Sequence, residues 1–234
     1  MVEKKKSGVM EIGKIKETKL IVVLIGDSGL ILNKKARSFE REQVFIQTHD
    51  DGEEVPDNIS TKKRNYNLWE HLITSITWRD PIVFHDDDYY KYTEEEWEDY
   101  MQNNAPCILS AAFTGAMAEA FKTFGYKGKT GKAGADLRRA VNFCMPKFPI
   151  TFEQVGYEQK LVPNTGMDKK NVVAQYNVFH NWKCTVEIAC ADVVFPEKTI
   201  VSLLETTGRY IGVGTQRKNG YGRWHVGEVT VIEE

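Results

Sequence analysis

Three features are scarce in this sequence, and each scarcity excludes a class of protein. No apolar run approaches the roughly 20 residues that a membrane-spanning helix needs, so we expect no membrane segment. The opening residues, Met1–Lys6, are charged and no apolar stretch follows them, so we expect no signal peptide. The chain has only four cysteines: Cys107, Cys144, Cys184 and Cys190. None lies in the paired spacing that zinc sites use, which favours reduced thiols, a cytoplasmic location and no cofactor.

The composition that remains is typical of a globular chain. Of the 234 residues, 41% are apolar and 27% are charged, which is too apolar for a mainly disordered protein. The length allows one domain, or one domain that carries a large insertion. We therefore treat residues 1–234 as a single domain, and we find no internal repeat and no low-complexity tract.

The net charge of −2, from 31 basic and 33 acidic side chains, conceals a segregation of sign along the chain. Residues 85–99 carry eight acidic side chains and one lysine, whereas residues 126–139 carry five basic side chains and one aspartate. Residues 208–224 carry four basic side chains and no acidic one. Such segregation is typical of a basic face that binds an anionic partner, and it also suits head-to-tail contact between copies. Solvated loops are the alternative explanation.

Apolar patterning predicts an α+β fold. The β-branched run Lys19–Ile25 predicts a buried strand. Apolar residues at helical spacing predict helices over Ser110–Phe124 and Glu197–Ile211, and Ser110 is the expected N-cap of the first. Further strands are expected over three segments: 141–152 as an irregular edge, 172–194 as one long strand or two joined ones, and 224–232.

The order strand, helix, strand, strand, helix, strand is that of the ferredoxin-like or RRM-like βαββαβ core. Residues 33–105 and part of 153–175 are then insertions into this core. The first insertion contains the acidic stretch 85–99, which we expect to be a solvated loop. A weak helix over 68–76 and a strand over 78–84 are expected before it.

Residues 208–224, between the second helix and the last strand, contain five glycines. Glycine permits positive φ and lets the backbone approach another chain or a phosphate closely. Arg217, Lys218 and Arg223 place cations beside those glycines, and Tyr221 is available to stack on a base or to fill the core. The segment lacks the Gly-Lys-Ser/Thr ending of a P-loop, and it follows a helix rather than a strand, which excludes a dinucleotide-binding fingerprint.

The pattern Gly-x-Gly-x-x-Arg-Lys-x-Gly-Tyr-Gly-Arg-Trp over 212–224 resembles the C-terminal glycine-rich loop of the RAMP superfamily. A second segment, Pro106–Met117, resembles that family's entry into its first helix. These are RRM-like proteins of CRISPR effector complexes, and the likeness is greatest to the repeated backbone subunit. The resemblance implies a non-enzymatic subunit of an antiviral ribonucleoprotein, which oligomerises along a guide RNA and contacts other effector subunits.

By the same resemblance, the glycine-rich loop and the start of the first helix hold the sugar–phosphate backbone. The residues it places near nucleic acid are Ser110, Ala111, Gly214, Arg217, Lys218, Gly220, Tyr221 and Arg223. A helix N-terminus offers free amides and a partial positive charge, and Arg and Lys neutralise phosphates without reading sequence. The basic stretch after the helix adds Lys127, Lys129, Lys132, Arg138 and Arg139 to the candidate interface.

Two other functions stay open. A metal-dependent ribonuclease would use Asp27, in the loop after the first strand where some RAMP proteins place a catalytic aspartate. It would otherwise use the imidazole and carboxylates of His85, Asp86 and Asp88, because oxygen ligands suit Mg²⁺ and Mn²⁺. A protein-interaction module would instead mimic or inhibit an effector subunit through its acidic insert. The sequence alone distinguishes neither RNA from single-stranded DNA nor a host from a viral origin, and it does not set the number of copies.

Overall fold

Residues 17–34, 36, 67–85, 88–125, 133–163, 171–191 and 194–233 are described in the computed structural model of the chain. Their strands are β1 (Glu17–Gly26), β2 (Leu30–Leu32), β3 (Cys107–Leu109), β4 (Val141–Phe143), β5 (Lys147–Thr151), β6 (Gln154–Pro163), β7 (Asn171–His180), β8 (Lys183–Ala191) and β9 (Trp224–Glu233). Their α-helices are α1 (Leu68–Thr74), α2 (Glu94–Asn103), α3 (Ser110–Thr123), α4 (Ala133–Ala140) and α5 (Glu197–Tyr210). The mixed α+β class expected from the sequence is confirmed.

Strand β1 lies inside the larger sheet. It buries Leu20, Val22 and Leu24 completely, as period-two patterning requires when one face of a strand is covered. It pairs antiparallel with β8 on one side and with β9 on the other. The sheet has the order β3-β5-β8-β1-β9, and β4 also pairs with β8. Since Gly26 at the end of β1 pairs with Trp224 at the start of β9, the residues that follow β1 lie beside those that precede β9.

Helices α3 and α5 pack against each other and contribute to the same core as the sheet. Phe113 and Met117 of α3, and Ile200 and Leu204 of α5, are fully buried, so each helix turns one apolar stripe to the core. The ring of Phe113 meets that of Trp224 edge-on at 6.0 Å. Both helices lie within one residue of their predicted bounds. Among the described residues, no helix is long and apolar enough to cross a membrane.

A smaller sheet contains β2, β7 and β6, in that order. β6 and β7 pair along their whole length, and β2 pairs with the end of β7. The segment 172–194 therefore divides into two strands of different sheets, and the chain turns between them at Asn181, whose φ is 50°. Strand β6 lies where the sequence predicted part of an insertion. Gly156 and the polar residues along it weaken the apolar pattern from which strands are predicted.

The strand expected over 78–84 is not formed, and this prediction was wrong. Trp78 makes only an isolated bridge to Pro106, and residues 79–85 have no regular secondary structure. Pro81 lacks the N–H group that a continuing ladder of hydrogen bonds needs. The apolar residues around Pro81 have a strand-like pattern, but the missing N–H group interrupts the hydrogen bonds that pairing requires.

The acidic stretch is partly helical rather than a loop throughout. The side-chain oxygen of Thr93 accepts a hydrogen bond from the amide of Glu96 at 3.3 Å, and the acidic first turn of α2 complements the partial positive charge of a helix start. Trp97 and Met101 bury one side of α2. Its exposed acidic side chains are Glu94, Glu95, Glu98 and Asp99. The predicted insertion over 33–105 stays a prediction, since residues 37–66 lie outside the described ranges.

His71 is expected to give the fold a dependence on pH. It is buried on α1, and its Nε2 lies 3.2 Å from the backbone oxygen of Gln175 on β7. Burial lowers the pKa of His71 below 6.5, and the bond to Gln175 offsets this only in part. The unfolded chain therefore binds this proton at a higher pH than the folded chain does. Protonation then favours the unfolded chain, and we expect the free energy of unfolding to fall as the pH drops below 6.5.

Urea unfolding at about pH 7.5 and about pH 5.5 measures this dependence. The His71→Gln variant should lose less stability than the wild type over the same interval, because it has no imidazole to protonate. An equal loss in both proteins would show that other groups cause the effect.

Candidate nucleic-acid interface

The glycine-rich loop, residues 212–223 between α5 and β9, is held against β2 and the turn between β1 and β2. The amide of Thr215 donates to the oxygen of Ile31, and the amide of Gly222 donates to that of Gly29, both at 2.8 Å. Val213 and Gly222 also bond across the loop at 2.9 Å. These backbone hydrogen bonds hold the loop against β2 and against the turn that precedes it.

The glycines of this loop serve contacts within the protein. A Cβ on Gly214 would lie 2.4 Å from the oxygen of Ile31, and one on Gly222 would lie 1.8 Å from the oxygen of Val213. Both residues also have positive φ, at 83° and 67°. Gly220 differs, because a Cβ there would meet no atom within 4 Å. The sequence predicted close approach to a phosphate or another chain, whereas at Gly214 and Gly222 the nearest backbone belongs to the chain itself.

The cations of the loop lie on and beside a short 3₁₀ turn, Arg217–Asn219. Lys218 is exposed, whereas Nη1 of Arg217 donates to Oε2 of Glu119 on α3 at 3.1 Å. Behind it, Nη2 of Arg223 donates to the backbone oxygen of Arg217 at 3.2 Å. Burial, and then the charge of Arg217, lower the pKa of Arg223, while Glu119 acts in the opposite direction. The two guanidinium groups therefore share one nearby carboxylate.

A groove of about 340 Å³ separates the loop from the first half of α3. Its α3 wall consists of small residues: Ala111, Ala112, Gly115 and Ala116. The opposite wall comes from the loop residues Val213, Gly214, Thr215 and Arg217. The remaining lining comes from three segments: β2 with the residues after it, the residues after α1, and β3. These residues are Leu32, Asn33, Lys34, Ser75, Thr77, Cys107, Ile108 and Leu109. Small side chains on the helix wall and the cation Arg217 on the loop wall allow an extended anionic polymer to lie against the helix.

The start of α3 differs from the prediction in its capping. Leu109, in extended conformation, is the N-cap residue, and no side chain accepts from the first amides. Ser110 is not the cap, because β3 leads into the helix without a turn and the Ser110 amide donates to the oxygen of Pro146 at 3.0 Å. Its neighbour Ala111 is exposed and lines the groove.

The structure brings some of the predicted site residues together and separates others. Ala111, Gly214 and Arg217 line the groove, and Ser110, Lys218, Gly220 and Arg223 adjoin these residues without lining it. Arg138 and Arg139 are exposed at the end of α4, which packs against α3. Lys127, Lys129 and Lys132 lie outside the described residues. Tyr221 turns away from the groove: its hydroxyl donates to Glu158 at 2.9 Å, and it packs against Ile31, Tyr176 and Val178.

Groove residues that the sequence analysis missed come from distant parts of the chain. Thr77 and Asn33 carried no motif, so only the fold could place them opposite the loop. Glu119 had a readable signal, because it follows Ala111 and Gly115 at intervals of four residues and so shares their face of the helix.

The candidate catalytic aspartate is held by a histidine. Oδ1 of Asp27 lies 2.6 Å from Nδ1 of His225, and both side chains are about half exposed, at 47% each. The amide of Asp27 donates to the oxygen of Arg223 at 2.9 Å. Asp27 therefore lies at the junction of β1 and β9, and it does not line the groove.

The metal candidates bind other side chains. His85 Nε2 lies 3.0 and 3.1 Å from the two carboxylate oxygens of Glu96. Asp88 forms an ion pair with Lys91 and accepts from the hydroxyl of Tyr90, and the hydrogen bond from Lys91 lowers the pKa of Asp88. Asp86 lies outside the described residues. Within the described ranges, no three His, Cys, Asp or Glu side chains are grouped so that they could hold a metal ion.

Two glycines of the loop give a matched test of its packing. Gly222→Ala would place a methyl group 1.8 Å from the oxygen of Val213, and we expect a loss of about 3–5 kcal/mol in the free energy of unfolding. Gly220→Ala, at φ 88° with open space around it, should cost only the backbone strain of about 1–2 kcal/mol. Urea unfolding measures both, and equal losses would contradict the close packing described here.

Comparison with known proteins finds similar chains among the solved structures. No protein-family model matches the chain, and no curated protein matches it. A chain of the solved structure "Cryo-EM structure of the Type III-B Cmr-beta bound to cognate target RNA" aligns with 93% of this chain at 13% identity and a TM-score of 0.49. The aligned part is 61% of that chain's length.

Proposed function

We propose that this chain is a RAMP-like RNA-binding subunit of a CRISPR-type ribonucleoprotein. Single-stranded RNA would lie in the groove, with its sugar–phosphate backbone between α3 and the glycine-rich loop. The observation that carries the proposal is the position of Arg217 on one wall, opposite the small residues Ala111 and Gly115 on the other. A phosphate can approach the helix closely at its small residues and meet the guanidinium of Arg217 on the loop wall.

The chemistry of the groove favours contact with the backbone of the nucleic acid rather than with its bases. Arg217 and Lys34 supply positive charge, and contacts of this kind position a strand without reading its sequence. The volume of about 340 Å³ lies at the lower end of the range of about 300–1,000 Å³ for ligand pockets. That volume suits one nucleotide of an extended strand that passes through the groove and continues beyond both of its ends, as a guide RNA would.

We also propose that β1, α3, β4 with β5, β8, α5 and β9 form a ferredoxin-like core. These elements follow one another in the order that such a core requires. In its support, β1 has β8 and β9 as neighbours, β8 adjoins β4 and β5, and all of these pairs are antiparallel. The smaller sheet of β2, β7 and β6 is then an addition to the core.

The segregation of charge supports a proposal that copies of this chain assemble along the guide RNA. The exposed acidic side of α2 and the basic loop tip at Lys218 lie on different elements, so the acidic surface of one copy can meet the basic surface of the next. We propose head-to-tail oligomers of this kind in the cytoplasm, with other effector subunits at their ends, as part of antiviral defence.

RNA binding is tested by fluorescence anisotropy with a labelled single-stranded RNA of about 35 nucleotides at several salt concentrations. The double variant Arg217→Gln/Lys218→Gln should bind more weakly, and its salt slope should fall by roughly 0.7 for each lost phosphate contact. The control is Lys198→Gln/Arg209→Gln, which makes the same change in net charge on exposed residues of α5 that do not line the groove.

The control should bind like the wild type. A wild type that binds no RNA, or a binding curve without salt dependence, would contradict the proposal. If such a protein instead binds an effector complex, the protein-interaction alternative is favoured. An absorbance ratio at 260 and 280 nm, read before and after nuclease treatment, shows independently whether the purified protein carries nucleic acid.

We propose that the subunit binds RNA without cleaving it. The alternative ribonuclease depends on Asp27, whose carboxylate is paired with His225, or on the side chains of His85, Asp86 and Asp88. Incubation of the same RNA with Mg²⁺ and with EDTA should therefore leave it intact in both cases. Cleavage products that disappear with EDTA and with Asp27→Asn would favour the ribonuclease.

A further inference from the structure

The cation at the rim of the groove already holds an anion. Arg217 donates from Nη1 to Oε2 of Glu119 at 3.1 Å, and the two side chains are 35% and 52% exposed. This contact joins the glycine-rich loop to α3 beside the groove, whose lining includes Arg217 but not Glu119. A phosphate that reaches Arg217 from the groove therefore meets a carboxylate in the place where it would bind.

The positive charge beside this contact exceeds the negative charge. Arg223 lies behind Arg217 and donates from Nη2 to its backbone oxygen. The other terminal nitrogen of Arg223, Nη1, is buried and has no hydrogen-bond partner among the described residues. Two guanidinium groups thus face a single carboxylate, and the cluster keeps the capacity to bind an anion of greater charge than Glu119 provides.

Glu119 lies on α3 next to the residues that form the groove wall, although it does not itself line the groove. It follows Ala111 and Gly115 at intervals of four residues on α3, and side chains at that spacing share one face of a helix. The wall itself is small and uncharged. A polyanion that enters the groove consequently passes a single acidic group on α3, and this group is the one that binds Arg217.

We propose that the carboxylate of Glu119 occupies a phosphate site on Arg217 in the free protein and is displaced when RNA binds. The inference rests on the proposed function and adds a means of selection to it. An ion pair between partly exposed side chains is weak, so a phosphodiester in a long strand can replace it. Isolated anions, which gain few other contacts in the groove, compete poorly with an acceptor that is already present.

The test compares four proteins in the anisotropy assay: wild type, Glu119→Gln, Arg217→Gln and the double variant. Glutamine keeps the shape of Glu119 and suits a helix as well, and both residues are partly exposed, so all four proteins should fold. Glu119→Gln should bind RNA about three- to fivefold more tightly than the wild type, because it removes the competing carboxylate. In the Arg217→Gln background the same change should give a much smaller gain.

The matched control is Glu228→Gln on β9, which removes the same charge from an exposed residue outside the groove and outside the acidic side of α2. If Glu119→Gln gains no more affinity than this control while the wild type binds RNA, the inference is wrong and the proposed function stands. An equal gain with and without Arg217 would show that Glu119 acts only by repulsion, which also overturns the displacement. If no protein binds RNA, the proposed function fails and the inference with it.

Discussion

The candidate interface depends on the backbone hydrogen bonds that fasten the glycine-rich loop to the segment around β2. Thr215 and Gly222 donate to Ile31 and Gly29, and Gly214 and Gly222 make room for oxygens that a side chain would exclude. With these bonds in place, the 3₁₀ turn that carries Arg217 faces the start of α3. The distance between the turn that carries Arg217 and the helix is therefore set by main-chain hydrogen bonds.

This constraint reassigns the role of the glycines without moving the site. The motif in the sequence was interpreted as a surface for another molecule, because glycine allows close approach. The structure uses that property to pack the loop on its own chain at Gly214 and Gly222. In the proposed function, Arg217 and the small residues of α3 would contact the RNA. Those small residues, such as Gly115, lie outside the motif in sequence.

Local patterns predicted the elements whose apolar faces repeat regularly. β1 has alternating buried residues, and α3 and α5 have apolar stripes at helical spacing, so their bounds followed from the sequence. The division of 172–194 between two sheets depends on a single residue, Asn181, and on pairing partners far along the chain. Only the fold brings Asn33 and Thr77 together with the loop in the groove. Arg217, by contrast, could be singled out as a candidate residue from the motif and the charge pattern of the sequence.

Tyr221 links the loop to the smaller sheet. Its hydroxyl bonds to Glu158 on β6, and it packs beside Tyr176 of β7, whose own hydroxyl accepts a long hydrogen bond of 3.4 Å from Gln216. The hairpin of β6 and β7 thus supports the 3₁₀ turn Arg217–Asn219 from the side of Tyr221. Because Tyr221 and Tyr176 join the hairpin to this turn, a displacement of the hairpin would also displace the turn.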